Sequence, residues 1–262
     1  MPTSANPGLV DFNVFVGSYP FRHVPHPDPE TLVRVMDREG IAKAWVGHLP
    51  SAFYRDPAPG SKELFDLLRP HAARLLPVPA VRPDWPDWCD QLHAVADHGV
   101  AAVRAYPPQW GLGPDDPRML ELAGACAECR LPLVLTVKFE DGRQRHPMDG
   151  AGELQPAAVR ALARSGTGAE ILVTAAGRDF IEEVHWGLTL AERARVWWDI
   201  SWIWGPPEDH LAHLMRTVGA ERLAFGTMWP LRLTQVARAN LALLPTELRQ
   251  KSLDGPAGVG AA

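Results

Sequence analysis

Eight short apolar runs alternate strictly with eight amphipathic segments along these 262 residues, and that alternation limits the folds open to the chain. The apolar runs fall at 9–16, 43–49, 76–81, 101–106, 133–139, 170–175, 195–201 and 222–227. The helical patterns fall at 29–39, 62–73, 88–98, 117–129, 156–164, 180–186, 211–218 and 234–243. Near-continuous runs such as Ile171-Leu172-Val173 suit strands buried on both faces, and a helix after every strand implies parallel pairing through right-handed crossovers. Eight such units close a barrel, so the predicted class is α/β, a (β/α)8 TIM barrel. An open doubly wound sheet is the alternative, but Val16-Gly17-Ser18-Tyr19-Pro20 is not the Gly-rich phosphate loop that often follows its first strand. Many of the 26 prolines sit at junctions between runs, where a fixed φ and a missing donor end an element.

Composition narrows the function classes. A chain 46% hydrophobic can bury one large core, so residues 1–262 read as a single domain with 1–8 and 252–262 expected to fray. The net charge is −5 and the basic residues are scattered, which argues against a nucleic-acid footprint and for a small-molecule partner. No run approaches the length that spans a bilayer, and residues 1–8 lack a signal peptide's basic and apolar regions; no membrane contact and a cytoplasmic location are expected. Homo-oligomerisation is left open. Three cysteines make no disulfide framework. Cys126 and Cys129 lie within a helical pattern and lack the second pair that a four-ligand zinc site needs.

In a barrel the chemistry gathers at the C-terminal ends of the strands. Side-chain alternation then nominates Asn13, His48, Arg82, Arg104 with Tyr106, Lys138 with Glu140, Thr174, and Asp199 with Ser201. Arg104 is the most constrained of these, because a cation in an apolar strand is costly unless matched. It either holds a substrate anion or is neutralised by Glu140 or Asp199. The segment 139–148 adds two acids (Glu140, Asp141), two arginines (Arg143, Arg145) and His146. These supply an acid/base pair and an anion clamp, or else a solvated loop whose charges pair with each other. Trp110, Trp202, Trp204 and Trp229 fall in the mouth loops and would make an aromatic pocket for a flat organic ligand.

Several stretches resemble the amidohydrolase-related, decarboxylase-like branch of the metal-dependent hydrolase superfamily. They are Asp11-Phe-Asn-Val-Phe-Val-Gly17, Arg130-Leu-Pro-Leu-Val-Leu135, Val218-Gly-Ala-Glu-Arg-Leu-Ala-Phe-Gly226 and Trp229-Pro230. The resemblance implies a TIM barrel that cleaves C–N, C–O or C–C bonds. It also places that family's metal ligands on Asn13 and Phe15 in the first strand, Thr136 in the fifth, Thr174 or Ala175 in the sixth and Met228 after the eighth. Phe15 offers no donor and Met228 only a neutral thioether, so neither a metal nor another cofactor is expected. Segment 139–148 resembles the loop after strand five in a little-characterised branch that also shares Asn13, Gly17 and Pro20-Phe21-Arg22.

The resulting expectation is an enzyme of hydrolase type, independent of metal, using general acid/base chemistry on a small cyclic or aromatic organic acid. Lactone or amide hydrolysis is favoured over decarboxylation. His146 or Asp199 would be the base, with Glu140 and Asp141 as further acid/base candidates. Arg104 and Arg143 would clamp a carboxylate, and Tyr106 would donate to developing charge. Asn13, His48, Lys138, Ser201, Trp204, Met228 and Trp229 would line the substrate. The alternatives are a catalytically inactive ligand-binding or partner-supporting barrel, and a metal-dependent hydrolase with atypical ligands such as His48 or His146.

Overall fold

The structure is a computed structural model that describes residues 8–251 and 253–256. Each apolar run forms a strand: β1 Leu9–Val16, β2 Ile41–His48, β3 Leu75–Pro77, β4 Val103–Ala105, β5 Leu133–Thr136, β6 Ile171–Thr174, β7 Val196–Asp199 and β8 Leu223–Ala224. All adjacent pairs are parallel, in two arcs, β1-β2-β3 and β4-β5-β6-β7-β8. Backbone hydrogen bonds join the arcs. Arg104 N donates to Pro79 O (2.9 Å) and Val81 N to Arg104 O (3.1 Å); on the other side Phe12 N donates to Phe225 O (2.8 Å), Met228 N to Asn13 O (2.7 Å) and Phe15 N to Trp229 O (2.7 Å). The ring of eight is therefore closed. The short β3 follows from its own sequence, since Pro77 and Pro79 have no N–H to give a ladder.

Each strand path sends one side chain into a lower interior layer: Phe12, Trp45, Val78, Ala102, Val134, Leu172, Trp197 and Ala224. Three large rings and two alanines share this layer, and Phe12 meets Trp45 edge to face at 4.8 Å. Two residues further along, β4 to β7 present Arg104, Thr136, Thr174 and Asp199, all buried. β1 joins this upper layer through a register shift between Asp11 and Val14, which lets Phe12 and Asn13 both turn inward.

Outside the ring the helices bury one stripe each. Helix Pro29–Glu39 starts at Asp28, whose carboxylate accepts from Thr31 N at 2.7 Å, and stops at Gly40 with φ 68°. It buries Leu32, Val35 and Met36, and Leu32→Ala would cost about 2–5 kcal/mol. Cys126 is buried on helix Pro117–Glu128, where burial pushes its thiol up, and Cys129 caps that helix; all three cysteines are free. No helix among the described residues is long and apolar enough to cross a membrane.

One expectation about the ends is corrected. Leu253 and Pro256 are buried, Asp254 pairs antiparallel with Ala224, and Phe225 N donates to Leu253 O at 3.4 Å, so 253–256 is packed rather than frayed. Composition suggested fraying because it cannot show that β8 has backbone groups left to satisfy. Of the remaining terminal positions only Gly8 lies within the described residues, and it is exposed.

Candidate active site

The upper layer of the barrel is a continuous polar chain. Asn13 Nδ2 donates to Asp199 Oδ2 at 2.7 Å, and Arg104 Nη1 donates to Asn13 Oδ1 at 3.0 Å. Nη1 also reaches Thr136 Oγ1 (3.3 Å), which meets Thr174 Oγ1 (3.2 Å), and Thr174 closes the line on Leu135 O. Asp199 Oδ1 accepts from Ala175 N at 2.7 Å, where Ala175 takes the left-handed conformation (φ 59°) that aims its N–H into the barrel. Room for the carboxylate comes from Gly226, whose added Cβ would lie 2.5 Å from Asp199 Oδ2.

Burial governs the electrostatics. It raises the Asp199 carboxyl against the opposing bonds from Ser201, Ala175 and Asn13 and the field of Arg104. It lowers the Arg104 guanidinium, against Tyr106 and Asp199, and lifts the Tyr106 phenol to about 12, which keeps that hydroxyl neutral. No carboxylate among the described residues hydrogen-bonds to Arg104. Its Nε and Nη2 are buried without a well-formed hydrogen bond, the neutral Tyr106 hydroxyl being a further side-chain partner of the guanidinium, and its Cζ lies 4.6 Å from the Phe15 ring centroid. Of the two options for Arg104, direct pairing with Glu140 or Asp199 is not what the geometry shows; Asp199 acts on it only through Asn13 and through its field. Asn13, Arg104, Asp199, Ser201 and Tyr106 thus converge on one floor.

Above the floor, one side of the mouth is filled by rings. Phe139 meets Phe15, Tyr19, Phe53 and Tyr106 with centroids 5.6–6.0 Å apart. Met228, at φ 61°, is buried beneath Trp202, whose Nε1 donates to Sδ at 3.0 Å. Lys138 Nζ stands 4.9 Å from the Trp202 centroid and pairs with Glu153 at 3.3 Å. Trp204 is 48% exposed on the rim, and Trp229 is half-buried with an unpartnered Nε1. Trp110 is buried edge-on against Tyr106.

The remaining nominees stand apart from the floor. Glu140 is buried in an ion pair with Arg22, whose Nη2 also donates to Leu231 O at 3.1 Å, so this pair ties the loops after β1, β5 and β8 together. Asp141 and Arg143 pair with each other in solvent, and Arg143 holds the Asp141 carboxyl far below the usual range. His146 is exposed, stacks on Phe21 and accepts from Met148 N at 3.1 Å. His48 ends β2 but turns to the helix layer: Nδ1 lies 2.8 Å from Ser51 Oγ and Nε2 3.4 Å from Glu63, beside a cavity of about 520 Å3. Burial lowers its pKa against the pull of Glu63.

Arg232 lies beyond the strand ends that side-chain alternation nominates, yet the structure brings it to the mouth. Its guanidinium lies 4.4 Å from the Trp202 centroid and 5.7 Å from that of Trp204. The available signal was a lone arginine between Leu231 and Leu233, just past Trp229-Pro230 in a loop bound for the mouth.

The five positions that the resemblance gives to metal ligands do not fit a divalent ion. Asn13 and Thr136 hydrogen-bond to Arg104, and Phe15 lies against its guanidinium. Thr174 is spent on Thr136 and Leu135 O, and Met228 on Trp202. Among the described residues no three His, Cys, Asp or Glu side chains could hold a metal together. The centre those positions face contains a fixed organic cation instead.

No protein-family model and no curated protein sequence matches the chain. Solved structures do. A 2,6-dihydroxybenzoate decarboxylase from Rhizobium superposes with a TM-score of 0.71 at 16% identity, over 95% of this chain and 96% of that one. A 5-carboxyvanillate decarboxylase from Novosphingobium aromaticivorans, complexed with manganese and 4-hydroxy-3-methoxy-5-nitrobenzoic acid, gives 0.63 at 15%, over 86% and 77%. An amidohydrolase from Mycobacterium avium subsp. paratuberculosis gives 0.59 at 17%, over 87% and 72%. With its eight strands joined in a closed ring and these likenesses spanning most of its length, the chain has a (β/α)8 barrel fold shared with these decarboxylases and this amidohydrolase.

Proposed function

We propose that this barrel is an enzyme acting on a small cyclic or aromatic organic acid, with Arg104 supplying the positive charge at the floor and Asp199 the proton transfer. The observation that carries the reading is Arg104: wholly buried, bonded to no carboxylate among the described residues, with Nε and Nη2 making no well-formed hydrogen bond and only the neutral Tyr106 hydroxyl as a further side-chain partner. A buried cation in that state is costly unless an anion completes it. Asn13 fixes the spacing between cation and carboxyl by bonding to both. Asp199, its carboxyl raised by burial and held by Asn13 and Ala175, suits a group that takes and returns a proton.

Hydrolysis of a lactone or amide suits this floor better than decarboxylation. A guanidinium that binds the carboxylate to be lost stabilises the ground state, whereas the same donors aimed at a carbonyl gain strength as an oxyanion forms. The names of the structural neighbours keep aromatic acids as the substrate class to screen. The test is turnover of a panel of aromatic lactones, amides and carboxylates, with bound metal measured by elemental analysis. Activity indifferent to chelators, and reduced about 100-fold or more by Arg104→Met and by Asp199→Asn, is expected. A required stoichiometric metal, or full turnover in both variants, would overturn the reading.

The aromatic filling favours a second reading. Phe15, Phe139 and Met228 are buried, and the Phe139 rings occupy one side of the mouth. A barrel closed there would bind or support rather than catalyse. Ligand binding without turnover across the panel is the outcome that would establish it.

A further inference from the structure

Arg232 differs from the other cations that crowd the mouth. Arg22 pairs with Glu140, Arg143 with Asp141, Arg145 with Glu153, and Lys138 with Glu153. The Arg232 guanidinium has no hydrogen bond or ion pair among the described residues; its contacts are the faces of Trp202 and Trp204. Its backbone is fixed, with N donating to Met228 O at 3.2 Å. Lys138 lies within 5 Å of the same Trp202 centroid, so two positive groups share one indole, and of the two only Lys138 has an ion pair among the described residues, with a Glu153 that Arg145 shares. Half burial lowers the guanidinium's pKa, and Asp199 and Asp141 act on it only through their fields. A guanidinium attracted to an indole face without hydrogen bonds of its own keeps N–H groups available for a bidentate acceptor.

We infer that Arg232, on its platform of Trp202 and Trp204, is the rim half of a binding site for a planar organic carboxylate. The guanidinium edge takes the carboxylate and Lys138 adds charge. Trp204, 48% exposed, offers a face to the ligand's ring. The ligand class rests on the proposed function, but binding at the rim does not require that Arg104 or Asp199 be catalytic.

Benzoate is the probe and benzyl alcohol its neutral control, titrated against tryptophan fluorescence and checked by calorimetry. Saturable benzoate binding that weakens with added salt is expected, with benzyl alcohol at least about ten-fold weaker. Arg232→Met should weaken benzoate about ten-fold or more, and Arg232→Lys should fall between, since an ammonium cannot present two parallel N–H groups. Arg232 is a rim side chain, so the unfolding temperature should hold in both variants. Arg104→Met, measured in parallel, separates the two ideas. Benzoate affinity lost there and unchanged in Arg232→Met would overturn the rim site and leave the floor standing. The reverse pattern would support the rim site and count against the floor. No saturable benzoate binding by the unmodified protein would also overturn the inference.

Discussion

Asp11 shows how far burial can move a single group in this fold. Its Oδ1 accepts from Asn13 N and Thr227 N, both at 3.1 Å, and its Oδ2 meets Thr227 Oγ1 at 2.6 Å, which fastens β1 to the chain after β8. These donors favour the charged form, yet desolvation outweighs them and lifts the carboxyl to about 7. Between about pH 4 and pH 7 the folded chain therefore keeps a proton that the unfolded chain has released. Stability from this site is present at the acid end and is lost as pH rises through that window. Asp11→Asn reproduces the protonated form, with Nδ2 donating to Thr227 Oγ1. The unfolding temperature of the variant should fall less steeply than that of the unmodified protein from pH 4 to pH 7. Some slope should remain because Asp199 is raised as well. Identical slopes would mean that Asp11 is charged throughout.

At the level of the element, the last strand tests whether one residue separates this barrel from a metal-bearing one. Met228 sits in the left-handed region after β8, buried under Trp202. Met228→Asp would place a carboxyl among apolar neighbours with Trp202 Nε1 as its donor, at a cost of about 2–4 kcal/mol. It should bring no stoichiometric zinc or manganese, because Asn13, Phe15, Thr136 and Thr174 remain as they are; metal retained through dialysis would refute that expectation. The same strand shows what the sequence could disclose. Runs of apolar residues locate all eight strands to within a few positions, since burial on both faces writes itself into composition. The inward turn of Asn13 depends on a register shift in β1 that no local pattern signals. The withdrawal of Glu140 into an ion pair depends on Arg22, 118 positions away in the chain. Segment 139–148 looks chemical by content, but Arg143 finds Asp141 inside the segment and Arg145 finds Glu153 just beyond it, and only coordinates reveal which way such charges face.

For the whole molecule, a barrel of short strands must close its seam. β8 has two residues, and its edge toward β1 is satisfied from two sources. Phe225 gives its O to Phe12 N and its own N–H to Leu253 O. Both groups of one strand residue point the same way, so β1 and the segment 253–256 share one edge of β8. Gly255 then passes directly over Phe12 in the lower layer: it holds φ 64°, and an added Cβ would lie 2.8–2.9 Å from the ring. Gly255→Val should therefore destabilise twice, by about 1–2 kcal/mol for the left-handed backbone and by displacing the tail from the ring. Ending the chain at residue 251 removes the buried Leu253 side chain, about 2 kcal/mol, and strips an acceptor from Phe225 N. Both changes should lower the urea midpoint without altering benzoate binding, because the tail packs against the lower layer and Arg232 lies at the mouth. A midpoint that stays put in both would show that β1 alone holds the seam. Loss of benzoate affinity in step with the midpoint would show that floor and mouth are held in register from below.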